Sequence, residues 1–299
     1  MKRITPTTIC VVVASLAAAG SAAADVHLDP AGHGGRSASS AGPAFASAAS
    51  LSAGAASAPA MTLGGETRQG QPVVASVSRG RKTVRLNVAF SSRCTSGDPA
   101  FATAKFKVAT VKKARVSVAN TVTMPFDDGY TLVESYRAVA RLGKKSMAGR
   151  LRVIDDWYAP NGSHEDTCDT GRQRFKLQRT GVFAGTTDDG APVVLEYTAS
   201  HDRVKNLMIP WFAECDSGDW LWGTTHLADT PRAGGAFGGT WSKAVSSANG
   251  LTATSTYSLG GALLAHSAFG SWSVTTDITD ADQNEVDSCG TDLMTFRVK

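Results

Sequence analysis

The sequence predicts an all-β protein of two tandem β-sandwich or barrel-like domains, each with one disulfide. Three observations predict it. Cys94 and Cys168 are 74 residues apart, and so are Cys215 and Cys289. The second pair is the first displaced by 121, and other residues recur at nearly that displacement: Gly65, Thr67, Gly70, Pro72, Val73 and Val74 return 120 positions on as Gly185, Thr187, Gly190, Pro192, Val193 and Val194. After one inserted residue, Ser96-Gly97, Tyr136, Gly149, Val153, Thr170 and Phe175 recur 121 positions on, as Ser217-Gly218, Tyr257, Gly270, Val274, Thr291 and Phe296. Third, apolar residues alternate, as in Val84, Leu86, Val88 and Phe90, which is the period of a strand with one buried face.

The N-terminus comes first. Lys2 and Arg3 precede an apolar stretch from Ile9 to Ala19 and a small-residue exit at Ala22 to Ala24. That order describes a secretory signal peptide over 1–24, cleaved before Asp25, with Cys10 leaving in it. Residues 25–62 contain 24 Ala, Ser or Gly among 38, too little bulk to offset the entropy of ordering them, so they read as a disordered tether. The expected location is extracellular or in the cell envelope. No later run approaches the apolar length of a membrane-spanning helix, so no transmembrane segment is expected.

A period near 120 exceeds that of a solenoid repeat and fits a compact domain duplicated whole, here 63–179 and 180–299. Since each copy should close by itself, the matched spacing selects Cys94–Cys168 and Cys215–Cys289 from the three pairings of four cysteines. A reduced, metal-binding pair is the competing reading. Within each copy the runs Phe106 with Val108, Leu151 with Val153, and Phe175 with Leu177 alternate inward. Asp127-Asp128-Gly129, Asn161-Gly162 and Asp188-Asp189-Gly190 supply turns. Seven to nine strands per domain are expected, the disulfide tying a strand near the front to the last one.

Gly65 to Val73, Cys94 to Gly97, Gly149 to Val153 and Thr167 to Phe175 together resemble an uncharacterised all-β domain recurrent in secreted proteins of high-GC bacteria. The second copy departs from that pattern at Gly270 to Val274 and Ser288 to Thr291. The resemblance implies the fold and brings no activity with it.

Charge separates the copies. Residues 63–179 carry 21 Lys and Arg against 10 Asp and Glu, a net +11; residues 180–299 carry 6 against 14, a net −8. If the alternating apolar residues face inward, Arg85, Lys105, Lys107, Arg150, Arg152 and Arg174 face outward. Such a face keeps a β-protein soluble, attracts an anionic polymer or glycan of the cell surface, or docks on the acidic copy, within the chain or by self-association. These outcomes define a secreted binding or surface-associated module.

Other candidates carry less. Trp220 and Trp222 alternate, which on an exposed strand makes a shelf for sugar rings and in the interior simply fills a core, the basis of a carbohydrate-binding or carbohydrate-active alternative. Asp280, Asp282 and Asn284 space oxygens as a Ca²⁺ loop does, but Glu285 stands where such a loop needs Gly. A mature terminus at Asp25-Val26-His27 offers four nitrogens to Cu²⁺, with His27 the fourth. No cofactor is otherwise implied. No nucleophile elbow, zinc helix or phosphate loop is present, and His164, His201, His226 and His266 are scattered. An enzyme is not expected, although a carboxylate pair for glycoside hydrolysis is a spatial feature that sequence does not display.

Overall fold

The computed structural model describes residues 23–28, by their backbone alone, together with 61–246 and 250–299. Apart from Ala23 and Ala24, the signal peptide predicted over 1–24 lies outside these residues, as does the predicted tether apart from 25–28 and 61–62; residues 23–28 form a strand across the expected cleavage point, where a signal end and a disordered tether were expected. The strands of the first half are β1 (Ala23–Leu28), β2 (Met61–Thr67), β3 (Pro72–Val77), β4 (Thr83–Cys94), β5 (Pro99–Lys105), β6 (Ala109–Lys112), β7 (Arg115–Pro125), β8 (Thr131–Leu142), β9 (Ser146–Tyr158), β10 (His164–Asp169) and β11 (Gln173–Gln178). Those of the second are β12 (Val182–Thr187), β13 (Pro192–Tyr197), β14 (Arg203–Cys215), β15 (Trp220–Pro231), β16 (Ala236–Ser246), β17 (Thr252–Leu263), β18 (Ala268–Thr279), β19 (Glu285–Gly290) and β20 (Met294–Val298). Among the described residues the one helical segment is the single turn Arg79–Arg81.

Strands β2 to β11 form one sheet in the order β10-β4-β3-β2-β11-β9-β8-β7-β6, with β5 on β4. Because β6 also pairs with β4, and β10 with β9, this sheet closes on itself as a barrel. The second sheet repeats the order as β15-β14-β13-β12-β20-β18-β17-β16, with β19 bridging β14 and β18 and β1 added outside β15. Each sheet has ten strands: the first unit supplies all ten of its own, one more than expected, whereas the second supplies nine, within expectation, and takes β1 as its tenth.

The registers are copied with the residues. Glu134 faces Asp155 and Arg137 faces Arg152 across β8–β9; 121 positions on, Ser255 faces Thr276 and Ser258 faces Ser273 across β17–β18. Since a one-residue slip would exchange the two faces of every strand, matched registers mean matched interiors and exteriors.

Both disulfides form as paired by spacing, Cys94–Cys168 and Cys215–Cys289. They bind β4 to β10 and β14 to β19, the penultimate strand of each copy rather than the last. The closing strand is held instead by its ladders, β11 lying between β2 and β9. Val108 also departs from the expected inward position: β5 stops at Lys105, Phe106 turns into the core, and Val108 is 51% exposed.

The two units meet through an apolar seam. Val74 packs with Val182, Ala184, Val194 and Met208, and Ala89 and Phe101 pack with Phe212 and Trp222. Counterparts face each other, as in a twofold dimer: Phe101 stacks on its own equivalent, Trp222, with centroids 5.1 Å apart and planes within 6°. Gly70 lies against His226 while Gly190 lies against Lys105, two contacts related by the same displacement. A side chain at Gly64 would come within 2.7 Å of the Ala184 methyl, so the approach of the sheets requires glycine there.

Candidate functional site

The outward face of β7, β8, β9 and β11 carries six arginines in three facing pairs. Alternation sends Val116 and Val118, Ala138 and Ala140, Leu151 and Val153, and Phe175 and Leu177 into the core. The residues between them point out. Arg115 lies directly opposite Arg141, Arg137 opposite Arg152, and Arg150 opposite Arg174, all exposed. Directly opposed like charges destabilise a sheet, by roughly 0.2–1 kcal/mol a pair. The equivalent pairs of the second unit are Ala236 with Ala262, Ser258 with Ser273, and Ser271 with Thr295. The fold therefore tolerates neutral residues at every one of these positions.

Of the six cations the sequence singles out, Arg150, Arg152 and Arg174 belong to this face and the others do not. Arg85 is on β4 beside β3, Lys105 stands at the seam against Gly190, and Lys107 follows the end of β5. Arg115, Arg137 and Arg141 belong to the face instead. Arg152 is partly neutralised: its Nε donates to Asp169 Oδ1 at 2.9 Å and its Nη2 to Oδ2 at 2.5 Å. This bond holds the Asp169 carboxyl below the usual carboxylate range, with partial burial opposing it and the Gly171 amide assisting. At the edge of the face, Arg68, Arg174 and Lys176 line a cleft of about 610 Å³ with Glu66 and with Glu196 of the second unit. Burial, and then the charge of Glu196, raises the Glu66 carboxyl.

The interior of the first barrel holds a second unusual group. Glu134 and Asp155 face one another across β8–β9 and are 8% and 6% exposed, with Glu134 Oε1 and Asp155 Oδ1 lacking a hydrogen-bond partner. Burial, followed by the charge of Asp155, pushes Glu134 up to about 8. Burial, followed by Asp156, pushes Asp155 up to about 7. Tyr136, next inward on β8, is raised to about 12 by burial and by the Glu134 charge, against a hydrogen bond from Asn120. Sequence reading missed this pair because the two residues are 21 positions apart and only the register unites them.

The remaining candidates resolve as follows. Trp222 is 5% exposed beneath Phe101, so no shelf of two indoles forms; Trp220 is half-buried, and Trp211 and Trp272 are core. Asp280 Oδ1 accepts the backbone N–H groups of Asp282 and Asn284, each at 2.9 Å, and Asn284 Nδ2 donates to Oδ2 at 3.1 Å. The three residues expected to offer oxygens to Ca²⁺ thus form a self-bonded turn in which one carboxylate serves the others. His27 is described only by its backbone, on β1 opposite Trp222. His164 lies 3.6 Å from Asp156, His201 stands edge-on to Tyr197, and His226 is at the seam, so these three do not converge.

Asp166 and Asp287 lie beside the two disulfides, whose oxidised sulfurs leave no thiolate to join them as metal ligands. Their work is local. Asp166 accepts the N–H of Thr95 at 2.9 Å and the hydroxyl of Ser96 at 2.7 Å, and Asp287 accepts the hydroxyl of Ser217 at 2.6 Å. Partial burial opposes ionisation of Asp166, but bonds from Thr95, Ser96 and Thr167 outweigh it and hold the carboxyl low.

No helix among the described residues is long and apolar enough to cross a membrane. No family model and no curated protein matches the chain. Among solved structures, one similar chain is a protein with unknown function from the DUF3598 family of Nostoc punctiforme, 11% identical over 80% of this chain and 93% of that one, with a TM-score of 0.14. At that score the likeness carries no argument about fold or activity, and the description that stands is a tandem all-β architecture with one disulfide in each unit.

Proposed function

We propose that the chain is a secreted binding protein whose first barrel presents its arginine face to an anionic polymer of the cell surface or surroundings. The carrying observation is the set of three directly opposed Arg pairs, each replaced by small neutral residues in the sister unit. Self-repulsion on one face costs stability, and a polymer with closely spaced anionic groups turns that cost into attraction, strongest at low salt. Secretion is supported by the basic, apolar and small-residue order of the N-terminus, by two disulfides, and by the resemblance to domains of secreted proteins from high-GC bacteria.

Docking of this face on the acidic unit of the same chain is the weaker account of the charge. The seam is built from apolar residues, among them Val74, Phe101, Val194 and Trp222, while the cleft lined by Arg174, Lys176 and Glu196 brings charges of the two units to one place at its side. Retention of the full chain on immobilised heparin tests the proposal. The variant Arg137→Ser, Arg150→Ser, Arg152→Ser and Arg174→Thr takes the sister unit's residues at all four positions, and it should elute at much lower salt. Unchanged elution would overturn the assignment.

A further inference from the structure

The interior of the first barrel differs from that of the second where the fold gives no reason for it to differ. Glu134 and Asp155 occupy the positions of Ser255 and Thr276, whose hydroxyls satisfy each other at 2.8 Å in an equally buried place. The carboxyls instead leave Glu134 Oε1 and Asp155 Oδ1 without partners. Ser92 adds a third, independent orphan: it is 7% exposed, its Oγ is unpartnered, and its place on β4, two residues from Phe90, turns it to the same interior. It stands two residues before Cys94, whose disulfide partner Cys168 lies directly opposite Asp155. Its counterpart is Ala213, which asks for nothing.

The surroundings are also reduced in bulk. The indoles that fill the second unit, Trp211, Trp241 and Trp272, have Phe90, Asn120 and Leu151 as their counterparts. Leaving three buried polar side chains short of partners is costly, and more so for a charged group, so an interior of this kind is normally completed by something that donates hydrogen bonds. The β4–β6 pairing closes a ring of eight strands, β4-β3-β2-β11-β9-β8-β7-β6, and a barrel of that size has room for side chains or for one small ligand.

We propose that the acid-lined end of the first barrel binds a small organic cation, its ammonium group set between Glu134 and Asp155 and its apolar body against the aromatic lining. A bare divalent metal fits less well, because Ca²⁺ takes six to eight oxygens, and Phe90, Val153 and Tyr136 line the same interior. An ammonium group supplies three donors to oxygens that lack them, in charge-assisted bonds. At the same end Trp157 stacks on Phe126 with centroids 5.5 Å apart, both partly exposed, giving a cation an aromatic rim to cross.

The full chain is titrated by calorimetry with hexylammonium, hexan-1-ol and Ca²⁺ in turn. The expected result is saturable binding of one hexylammonium per chain, with the alcohol weaker by roughly tenfold or more, about 1.4 kcal/mol. The double variant Glu134→Ser with Asp155→Thr, the sister unit's own pair, should lose that binding. If this variant does not fold, Leu151→Trp puts the sister unit's indole into the same space and should exclude the ligand. Equal binding of the alcohol, a preference for Ca²⁺, retention by the variants, or no binding of any probe would each overturn the proposal, the last reducing the pair to two carboxyls sharing a proton. Heparin retention is independent of all these outcomes.

Discussion

The two units share one topology and one set of registers, and they part company at specific pairs. Inside, Glu134 and Asp155 stand where Ser255 and Thr276 satisfy each other. Outside, Arg137 and Arg152 stand where Ser258 and Ser273 do. The seam and the disulfides, by contrast, are alike in both. A fold duplicated within one chain serves as its own control: what both copies keep is needed to build the sheet, and what only one copy carries is free to serve something else. In each case the first barrel has the ionisable choice and the second the neutral one.

The largest expected effect comes from exchanging the interior pair. Unfolded, the two carboxyls ionise near their ordinary values of 4.5 and 3.8; folded, Glu134 keeps its proton until about 8 and Asp155 until about 7. Between those limits the folded state binds more protons than the unfolded one, so this contribution to stability is complete below the unfolded values, falls as pH rises from about 4 to about 8, and levels off beyond. The slope is at most about 1.4 kcal/mol per pH unit for each group. Chemical denaturation of the parent from pH 5 to 8.5 should show this decline. Glu134→Ser with Asp155→Thr should flatten it and leave the variant the more stable at pH 8.5. An equally steep decline in the variant would place the titration elsewhere.

The disulfides should test the likeness rather than the difference. Each closes a loop of the same sequence separation, 74 residues. The chain-entropy account then gives each bond the same worth, up to about 4 kcal/mol. Replacing Cys94 and Cys168 with Ala, or Cys215 and Cys289, should lower the denaturation midpoint of the affected unit by comparable amounts. A bond that proved dispensable in one unit would show that the copies are closed by different means.

Much of this was legible beforehand. The displacement of 120 or 121 residues, read from Gly65 to Val74 and from Cys94 onward, contains the tandem fold and both disulfides, because a copied register needs copied residues at the same spacing. The arginine face was legible only in part. Arg150, Arg152 and Arg174 flank large apolar residues, which announce the inner face. Along Arg137-Ala138-Val139-Ala140-Arg141 the announcement is reversed: the small alanines are buried and Val139 is 48% exposed, so hydrophobic size points the strand the wrong way. Glu134 and Asp155 were invisible singly, yet alignment of the copies puts Glu134 against Ser255 two residues before the recurrent Tyr136 and Tyr257, a departure in step with tyrosines that the structure buries. The seam could not be read, since Phe101 and Trp222 hold the same place in copies 121 residues apart and nothing local says that they touch.

At that seam, Phe101→Ala removes a ring held between Phe212 and Trp222 in a site that is 7% exposed. Truncation of a buried Phe costs about 3–5 kcal/mol in a core; here the loss falls on the contact between units as well as on the first barrel. Unfolding should therefore become less concerted, with the two units separating in denaturant, whereas Val88→Ala, in the middle of the first core, should destabilise that barrel without uncoupling the pair. Limited proteolysis of the chain between Gln178 and Val182, the short link between β11 and β12, reports the separation directly. If Phe101→Ala left that link as resistant as in the parent, the seam would not depend on the stacked rings.

The smallest effect is also the most specific to the outer face. Directly opposed arginines repel, but they are exposed, and solvent and salt screen them, so relieving one pair should raise stability by only about 0.2–1 kcal/mol. The two pairs that can be compared differ in one respect. Arg152 is already held by Asp169, while among the described residues Arg150 and Arg174 have no carboxylate in an ion pair. Arg174→Thr should therefore stabilise the barrel at low salt, and the gain should vanish as salt rises. Arg152→Ser should gain less or lose, because it strips Asp169 of its partner. Denaturation midpoints of both variants at low and high salt give the comparison. Heparin should reverse the ranking by stabilising the parent more than Arg174→Thr, because a bound polyanion converts the repulsion into contact. Equal salt dependence in the two variants would mean that the arginines do not act on one another as their register implies.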